Sequence, residues 1–296
     1  MEKKGGEERP LWRRWGRSDE ERYQESFEWV ACGHKLTIQQ SGVASPHEVG
    51  LTVWDCSLVL SRYFEKKFQQ QPSTEGGEDK QHQPWRGKRI IELGSGCGIS
   101  GLTACAYSYF WLFRFLRSLP FMIGLLGGRV LFTDVLGLDQ LATNVKQLPE
   151  EFKDHANIMY FKWWAILSCL KPTHPHTRGK EVSHLLPHEA PFDIILGSDL
   201  VYGWRIKAVN KLVRSLVALS NSDTDIYMAN NFHDLETKNY FLQLLQPHFH
   251  VHNVSYLTLP ILSLDIYFPL QIPLEEQDEV FRDPIIEILY LKKKKE

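Results

Sequence analysis

Residues 89–98, RIIELGSGCG, decide the fold class of this chain. The largely apolar stretch Arg89–Leu93 is typical of a short buried strand, and three glycines at alternate positions follow it directly. The next residues, 99–106, have the composition of a helix start. A strand, a glycine-rich turn and a helix in this order form a ligand site at the carboxyl end of a parallel sheet, because free amides at the helix start attract an anionic group.

The rest of the chain continues this alternation of strands and helices. Several strand candidates are near-continuous apolar runs, which are typical of parallel strands covered on both faces. The pattern therefore predicts the α/β class, with a mostly parallel twisted sheet, helices on both of its faces and an N-terminal hairpin within residues 23–40. The predicted strands are 89–93, 129–134, 157–163, 192–197, 225–229, 250–257 and 285–291, and the predicted helices include 53–68, 138–148, 207–219 and 235–245.

Composition narrows the classes of function. The 296 residues carry 34 Lys and Arg against 36 Asp and Glu, a formal net charge of −2, so we expect no nucleic-acid partner held mainly by phosphate contacts. The hydrophobic share of 43% excludes global disorder. The five cysteines form no C-x-x-C pair, which favours a reducing compartment; we expect the cytoplasm, with the nucleus as a second location.

The chain is predicted to hold one domain, residues 25–291, between a disordered charged tail (1–24) and a solvated basic tail (292–296). Residues 69–86 and 171–191 are predicted polar loops. Residues 107–126, YSYFWLFRFLRSLPFMIGLL, form an atypical apolar insertion. Two explanations for it rank equally, a surface-packed insertion and an error in the gene model, ahead of a membrane-touching hairpin. Two arginines and a proline interrupt the segment, so we expect no stable membrane insertion.

Two acids beside the glycine turn indicate which ligand it holds. Glu92 lies two residues before Gly94, where an acid suits a ligand that carries a cationic amine next to its carboxylate. Asp134 ends the next predicted strand and is placed to accept hydrogen bonds from ribose hydroxyls. A nucleoside joined to an amino acid is S-adenosylmethionine. Capping of the neighbouring turn by Glu92 and of a helix by Asp134 remain the structural alternatives.

Five motifs carry a resemblance to a known family. They are Trp54-Asp55, Glu92-Leu93-Gly94-Ser95-Gly96-Cys97-Gly98, Thr133-Asp134, Trp163 and Ser198-Asp199-Leu200-Val201-Tyr202. With these motifs the chain is similar to the lysine methyltransferase group of seven-strand methyltransferases, also called family 16 or methyltransferase-like proteins. The similarity runs from about Phe27 to about Leu257 and implies a Rossmann-like seven-strand methyltransferase fold.

The resemblance implies a set of residues that bind S-adenosylmethionine. A tryptophan borders the cofactor before the first core strand, the glycine loop carries its methionine part, an acid binds the ribose, a second tryptophan lies beside the adenine and a small residue allows close approach. These residues are Trp54, Glu92, Gly94, Ser95, Gly96, Asp134, Trp163 and Ser198. The chain departs from the family at Trp164, where Gly is usual.

The same resemblance implies the reaction. Asp199 and Tyr202 match the family's D-x-x-Y pair near the site of methyl transfer, so we expect them to be catalytic, in transfer to a lysine side chain of a cellular protein. Burial in an apolar channel lowers the pKa of a lysine, which must lose its proton before it attacks. The family's protein substrates include chaperones, translation factors and AAA-type ATPases, and monomers are common in it.

Several alternatives remain open at this point. Another methyl acceptor, namely histidine, arginine or a nucleic acid, is the nearest, although nucleic-acid amino methylases often carry prolines between the Asn or Asp and the Tyr of the motif. A non-catalytic adaptor retaining the fold is the second. A nicotinamide oxidoreductase is disfavoured by Glu92 and by the D-x-x-Y motif. His248, His250 and His252 alternate without a nearby acidic or Cys partner, so a surface strand and no metal site are expected there.

Overall fold

The computed structural model describes residues 24–31, 34–41, 49–69, 85, 87–105, 129–162, 190–202, 206–254 and 286–295. The predicted insertion 107–126, residues 1–23 of the predicted tail and most of the two predicted polar loops lie outside these ranges. Within them, no helix combines the length and the apolar character that crossing a membrane requires.

Strands and helices alternate along the described chain as the apolar pattern predicts. The strands are β1 (Ser26–Ala31), β2 (His34–Gln39), β3 (Arg89–Leu93), β4 (Arg129–Asp134), β5 (Ala156–Tyr160), β6 (Ile194–Ser198), β7 (Asp225–Asn231), β8 (Phe249–Asn253) and β9 (Ile286–Lys293). The helices are α1 (Asp55–Gln69), α2 (described over 99–105), α3 (Leu138–Val145), α4 (Glu150–Lys153), α5 (Ile206–Leu219) and α6 (Leu235–Leu245), and a 3-10 turn spans Val49–Leu51.

Among the described residues, seven strands form one sheet in the order β5-β4-β3-β6-β7-β9-β8, and β1 pairs with β2 as a separate antiparallel hairpin. Neighbours from β5 to β7 are parallel, whereas β9 runs antiparallel to both β7 and β8. Strand order reverses between β3 and β6. Such a switch point opens a crevice outside the carboxyl ends of the strands, which is where ligands bind in open α/β sheets.

The sheet separates two apolar layers, because successive strand residues point to opposite faces. On one face, Ile90 of β3 packs with α1, α2, α3 and the hairpin; on the other face, Ile91 and Leu93 pack with α5 and α6. All three side chains are fully buried. This double coverage explains why the parallel strands read as continuous apolar runs, and it confirms the predicted fold class.

Several predicted boundaries differ from the structure by a few residues, among them the ends of the third core strand and of the last strand. The third core strand ends at Tyr160, three residues before its predicted end. The last strand continues through Lys293, so the first residues of the predicted basic tail belong to the sheet. The Lys293 ammonium donates to the carbonyls of Val217 and Ser220 at the end of α5, at 3.0 and 3.1 Å. Helix carbonyls attract cations, and this attraction was not visible in the charge pattern alone.

Candidate active site

A cavity of about 210 Å³ lies at the carboxyl ends of β3, β4 and β6. Its walls come from the segment before α1, the glycine loop after β3, the turn after β4 and the turns after β6 and β7. The residues that line it are Gly50, Thr52, Val53, Trp54, Ser57, Gly94, Ser95, Gly96, Cys97, Gly98, Ile99, Asp134, Val135, Leu136, Ser198, Asp199, Leu200, Tyr202 and His233.

The glycine loop is tied to β4, not only to its own strand. The Ser95 amide donates to the Thr133 carbonyl at 2.9 Å, and the Ser95 hydroxyl accepts from the Thr133 amide at 3.0 Å. Gly96 follows in the left-handed region, at φ +53°. A Cβ there would lie 3.0 Å from the Gly50 carbonyl oxygen. Glycine is therefore needed both for this backbone conformation and for the close approach of the two cavity walls.

Asp134 closes the loop from the end of β4. Its Oδ2 accepts from the Gly96 amide at 2.8 Å, and its Oδ1 accepts from the amides of Val135 and Leu136 at 2.6 and 3.2 Å. Burial raises the pKa of Asp134, and these three amide hydrogen bonds oppose that rise. The carboxylate is thus oriented by the backbone before any ligand arrives, and it still lines the cavity.

Glu92 lies beneath the loop and does not line the cavity. Its side chain is 1% exposed, on the face of β3 that packs against α2, where one carboxylate oxygen lies 2.7 Å from the Cβ position of Gly101. Burial raises the pKa of Glu92 to about 8; Ser95, Ser100 and the Gly101 amide lie near enough to oppose the rise. None of these groups meets the geometry of a hydrogen bond, so neither oxygen has a partner among the described residues.

The D-x-x-Y residues line the same cavity. Asp199 and Tyr202 follow β6 and line it together with Trp54, which directly precedes α1. His233 lines it from the turn between β7 and α6. The Asp199 backbone is left-handed, at φ 55°, and its amide donates to the Ala229 carbonyl of β7 at 2.8 Å. A carboxylate, a phenol, an imidazole and an indole therefore line one cavity with the glycine loop.

Most of the predicted site residues meet in this one cavity. Eight of the ten line it: Trp54, Gly94, Ser95, Gly96, Asp134, Ser198, Asp199 and Tyr202. Glu92 does not line the cavity, because the alternation of side chains along β3 directs it toward α2, and its contact with the cofactor stays a prediction. Trp163 lies outside the described residues, so its predicted place beside the adenine stays a prediction.

The sequence did not predict two segments of the cavity wall. Residues Gly50, Thr52 and Val53 line the cavity from the stretch before α1, and Leu136 lines it from the turn after Asp134. Their positions in the sequence could have indicated them. The first three precede the predicted site residue Trp54 by one to four residues, and Leu136 follows Asp134, the predicted ribose-binding acid, by two residues. A contact between these segments depends on the fold, since more than eighty residues separate them along the chain.

Hydrogen bonds from α3 connect the N-terminal hairpin to the glycine loop. Asn144 of α3 is fully buried; its Oδ1 accepts from the Gln39 amide at 2.6 Å, and its Nδ2 donates to the Gln39 carbonyl at 3.0 Å. The same Nδ2 donates to the carbonyl of Cys97 in the glycine loop at 3.0 Å. Gln140, one turn earlier on α3, donates to the Leu51 carbonyl at 3.0 Å. Helix α3 therefore connects the hairpin, the segment before α1 and the loop.

The donors and acceptors of this cavity fit S-adenosylmethionine. At Gly96 the cavity wall is backbone, because a Cβ there would lie 3.0 Å from the Gly50 carbonyl oxygen, and such a wall fits the methionine end that the resemblance places there. The Asp134 carboxylate lines the cavity and keeps acceptor capacity on Oδ2 for a ribose hydroxyl, and Leu136 adds an apolar side chain to the same cavity. The described residues thus meet the ribose and apolar requirements of this ligand, whereas Glu92, which was expected to face its cationic amine, does not line the cavity.

Comparisons with known proteins agree with this geometry. A family model described as lysine methyltransferase matches residues 31–247. EEF1A lysine methyltransferase 3 of Mus musculus is 30% identical over 238 residues, which cover 77% of this chain and 76% of that protein. Protein N-lysine methyltransferase METTL21A of Danio rerio is 26% identical over 240 residues, covering 79% of this chain and 83% of that protein.

Among solved structures, that of SMU.776 complexed with SAH matches 90% of this chain and 56% of that chain, with a TM-score of 0.50 and 11% identity, so it shows a shared fold. The family match and the relatives confirm the predictions of S-adenosylmethionine as the cofactor and of methyl transfer to lysine in a protein. The chain belongs to the lysine methyltransferase family.

Proposed function

We propose that this enzyme methylates a lysine of a translation elongation factor of the EEF1A type, with Asp199 and Tyr202 acting on the lysine side of the cavity. The observation that carries the residue roles is that the loop for the cofactor and the D-x-x-Y pair line one continuous cavity. The support for the substrate class is the 30% identity to the mouse protein named for EEF1A. Chaperones and AAA-type ATPases are the other substrate classes that the family resemblance implied.

The cofactor side of the proposal assigns three tasks to the chain. The backbone of the Gly94–Gly96 loop holds the methionine end, Asp134 accepts from the ribose hydroxyls, and Trp54 borders the end near the reactive sulfur. When bound, S-adenosylmethionine supplies a methyl group on a positively charged sulfonium. Because the displacement is in line, the chain contributes mainly position and the exclusion of water.

The substrate side must provide a neutral lysine. An ammonium has no lone pair, and a partly enclosed cavity lowers the pKa of a lysine that enters it. In this proposal the Asp199 carboxylate orients the incoming amine, and the Tyr202 hydroxyl accepts or donates a hydrogen bond beside it. The indole of Trp54 and the ring of Tyr202 supply faces that attract a methylated ammonium.

Labelled methyl transfer to purified EEF1A, followed by mass spectrometry of the modified lysine, tests the proposal. We expect label on one lysine and none on histidine, arginine or RNA. Asp199→Asn and Tyr202→Phe should lower kcat by about 100-fold and about 10-fold while the Kd for S-adenosylmethionine stays within about twofold. Equal losses of turnover and cofactor affinity in Asp199→Asn would contradict its role on the substrate side.

A second arm of the experiment separates the substrate classes. A cell extract treated with labelled cofactor replaces EEF1A, and label is located by mass spectrometry. Label on a chaperone or an AAA-type ATPase, with EEF1A unmodified, overturns the substrate class but leaves lysine methylation intact. Cofactor binding by calorimetry with no label on any protein would favour an adaptor that retains the fold.

We further propose that the protein works as a monomer in the cytoplasm, with the nucleus as a second location. Cys56, Cys97 and Cys105 are buried and form no disulfide among the described residues, which supports a reducing compartment. The large apolar side chains exposed among the described residues, Val30, Leu136 and Leu235, lie on three separate segments of the chain, which supports a monomer. Fluorescence imaging of the tagged chain and light scattering of the purified protein test both points.

A further inference from the structure

The Asp199 backbone adopts a conformation that few residues with a side chain adopt. Its φ of 55° is in the left-handed region, and among the described residues it is the one non-glycine with a positive φ. Asp tolerates this region better than most residues, but surrounding contacts must still select it. The residues that hold this turn therefore decide where the Asp199 carboxylate and the Tyr202 hydroxyl lie.

Strand β7 reaches past the end of β6 and contacts this turn. The parallel register pairs Ser198, the last residue of β6, with Ala229. The next hydrogen bond is from the Asp199 amide to the Ala229 carbonyl at 2.8 Å. The following amide, that of Leu200, donates to the side-chain Oδ1 of Asn230 at 3.3 Å. A side-chain oxygen thus replaces the backbone acceptor where the chain turns away from the sheet.

Burial of the Asn230 side chain at this position costs free energy. Its side chain is fully buried, and its Nδ2 has no hydrogen-bond partner among the described residues. The adjacent residues Leu200 and Val201 belong to the apolar layer under α5 and α6. An apolar side chain of similar size would avoid burying the unpaired donor. Such an apolar replacement, unlike Asn230, could not accept the hydrogen bond from the Leu200 amide.

We propose that Asn230 is a positioning residue for methyl transfer: its Oδ1 holds the Leu200 amide and thereby keeps Asp199 and Tyr202 directed into the cavity. The inference rests on the proposed roles of those two residues. Asn230 does not line the cavity itself. Its removal should therefore change turnover and leave the affinity for the cofactor unchanged.

The test compares three replacements of Asn230 in the full chain. Asn230→Leu removes the acceptor at similar size, Asn230→Ala removes it with less bulk, and Asn230→Asp keeps an oxygen for the Leu200 amide. We expect kcat to fall by about 10-fold or more in the Leu and Ala variants, with the Kd for S-adenosylmethionine within about twofold of wild type. Asn230→Asp should recover kcat to within about threefold of wild type.

Asn231→Leu is the matched control. Asn231 is also buried, and its Oδ1 has no partner among the described residues, but its side chain lies on the opposite face of β7. We expect its kcat to stay within about threefold of wild type. The inference is overturned if Asn230→Leu and Asn230→Ala keep full turnover, if they lose cofactor affinity in parallel, or if Asn230→Asp is as slow as they are.

Hydrogen exchange of the peptide containing residues 198–202 gives a readout independent of activity. The Leu200 amide should be protected in wild type and in Asn230→Asp, and exposed in Asn230→Leu and Asn230→Ala. Unchanged protection in all variants overturns the inference even when the wild-type enzyme methylates its substrate. Lost protection in a protein that transfers no methyl group supports the positioning of the turn and contradicts the proposed function, so the two failures are distinguishable.

Discussion

The carboxylate of Asp134, the last residue of β4, accepts a 2.8 Å hydrogen bond from the amide of Gly96 in the loop after β3. The acid that the sequence assigns to the ribose therefore also shapes the loop that receives the methionine end. We therefore expect binding of the two halves of the cofactor to be coupled through this one contact, because a change at Asp134 would alter the loop as well as the predicted sugar site.

Asp134→Asn should weaken cofactor binding more than the loss of one ribose contact would. Asn has one acceptor oxygen, so either the Gly96 amide or the amides of Val135 and Leu136 would face its NH₂ group and lose their partner. A hydrogen bond to a charged group contributes about 1.5–3 kcal/mol, so we expect the Kd to rise by at least about 10-fold, as measured by calorimetry. Asp139→Asn, an exposed change on α3, is the control; equal affinity in both variants would contradict the coupling.

The buried Glu92 carboxyl should make stability depend on pH. In the unfolded chain it ionises near its ordinary pKa of 4.5, whereas burial raises the pKa in the folded protein to about 8. Between these values the folded state holds a proton that the unfolded state has released, so the free energy of unfolding falls as pH rises. At full effect the slope is about 1.4 kcal/mol per pH unit.

Glu92→Gln removes this titration. We expect the variant to gain stability relative to wild type between about pH 5 and about pH 8, as measured by urea unfolding at both values. Glu150→Gln, which changes a carboxyl that is 86% exposed on α4, should follow the wild-type profile. Parallel profiles for wild type and Glu92→Gln would show that Glu92 is ionised in the folded protein.

The buried amide of Asn144 should link the hairpin to cofactor affinity. Asn144→Leu leaves the Gln39 amide and carbonyl and the Cys97 carbonyl without their partner, at a cost of about 1–3 kcal/mol for each buried group left unpaired. We expect a lower unfolding midpoint and a Kd for S-adenosylmethionine raised by about 10-fold. Thr143→Ala, on the exposed side of the same helix, should change neither; an unaltered Kd in Asn144→Leu would refute the link.

Lys293 should stabilise the fold, which a solvated tail residue would not do. Its ammonium donates to two carbonyls at the end of α5, so Lys293→Met, which keeps most of the apolar stem, should lower the free energy of unfolding by about 1 kcal/mol. Lys295→Met makes the same change at an exposed residue and should have no effect in thermal or urea unfolding. Identical effects of the two substitutions would indicate that Lys293 contributes no more to stability than a solvated tail residue does.

Local sequence was sufficient to predict that most of the candidate site residues lie together in one cavity. The Gly94–Gly96 loop and Asp134 are identified by their position after buried strands, and the carboxyl ends of parallel strands meet at one edge of a sheet. The D-x-x-Y pair, Asp199 and Tyr202, follows a third such strand. Three short stretches far apart in the chain therefore had to converge once the parallel sheet was inferred.

Side-chain direction could not be predicted in the same way. The period of two along β3 shows that Ile90 and Glu92 share a face, but not whether that face meets α2 or the ligand. Packing of α2 on β4 settles the question, since a Cβ at Gly101 would lie 2.4 Å from the Phe132 ring. Glu92 is enclosed by that close contact, and its raised pKa follows from burial that no local pattern encodes.

The sequence alone determined the order of strands and helices, the position of the glycine loop and the acidic residues next to it. Each of these features depends on residues only a few positions apart along the chain. The burial of Glu92 and the hydrogen-bond partners of Asn144, Asn230 and Lys293 were decided by the folded arrangement. These side chains lie against groups from 9 to 105 residues away along the sequence, and only the packing of layers on the sheet brings such groups within hydrogen-bonding or burial distance.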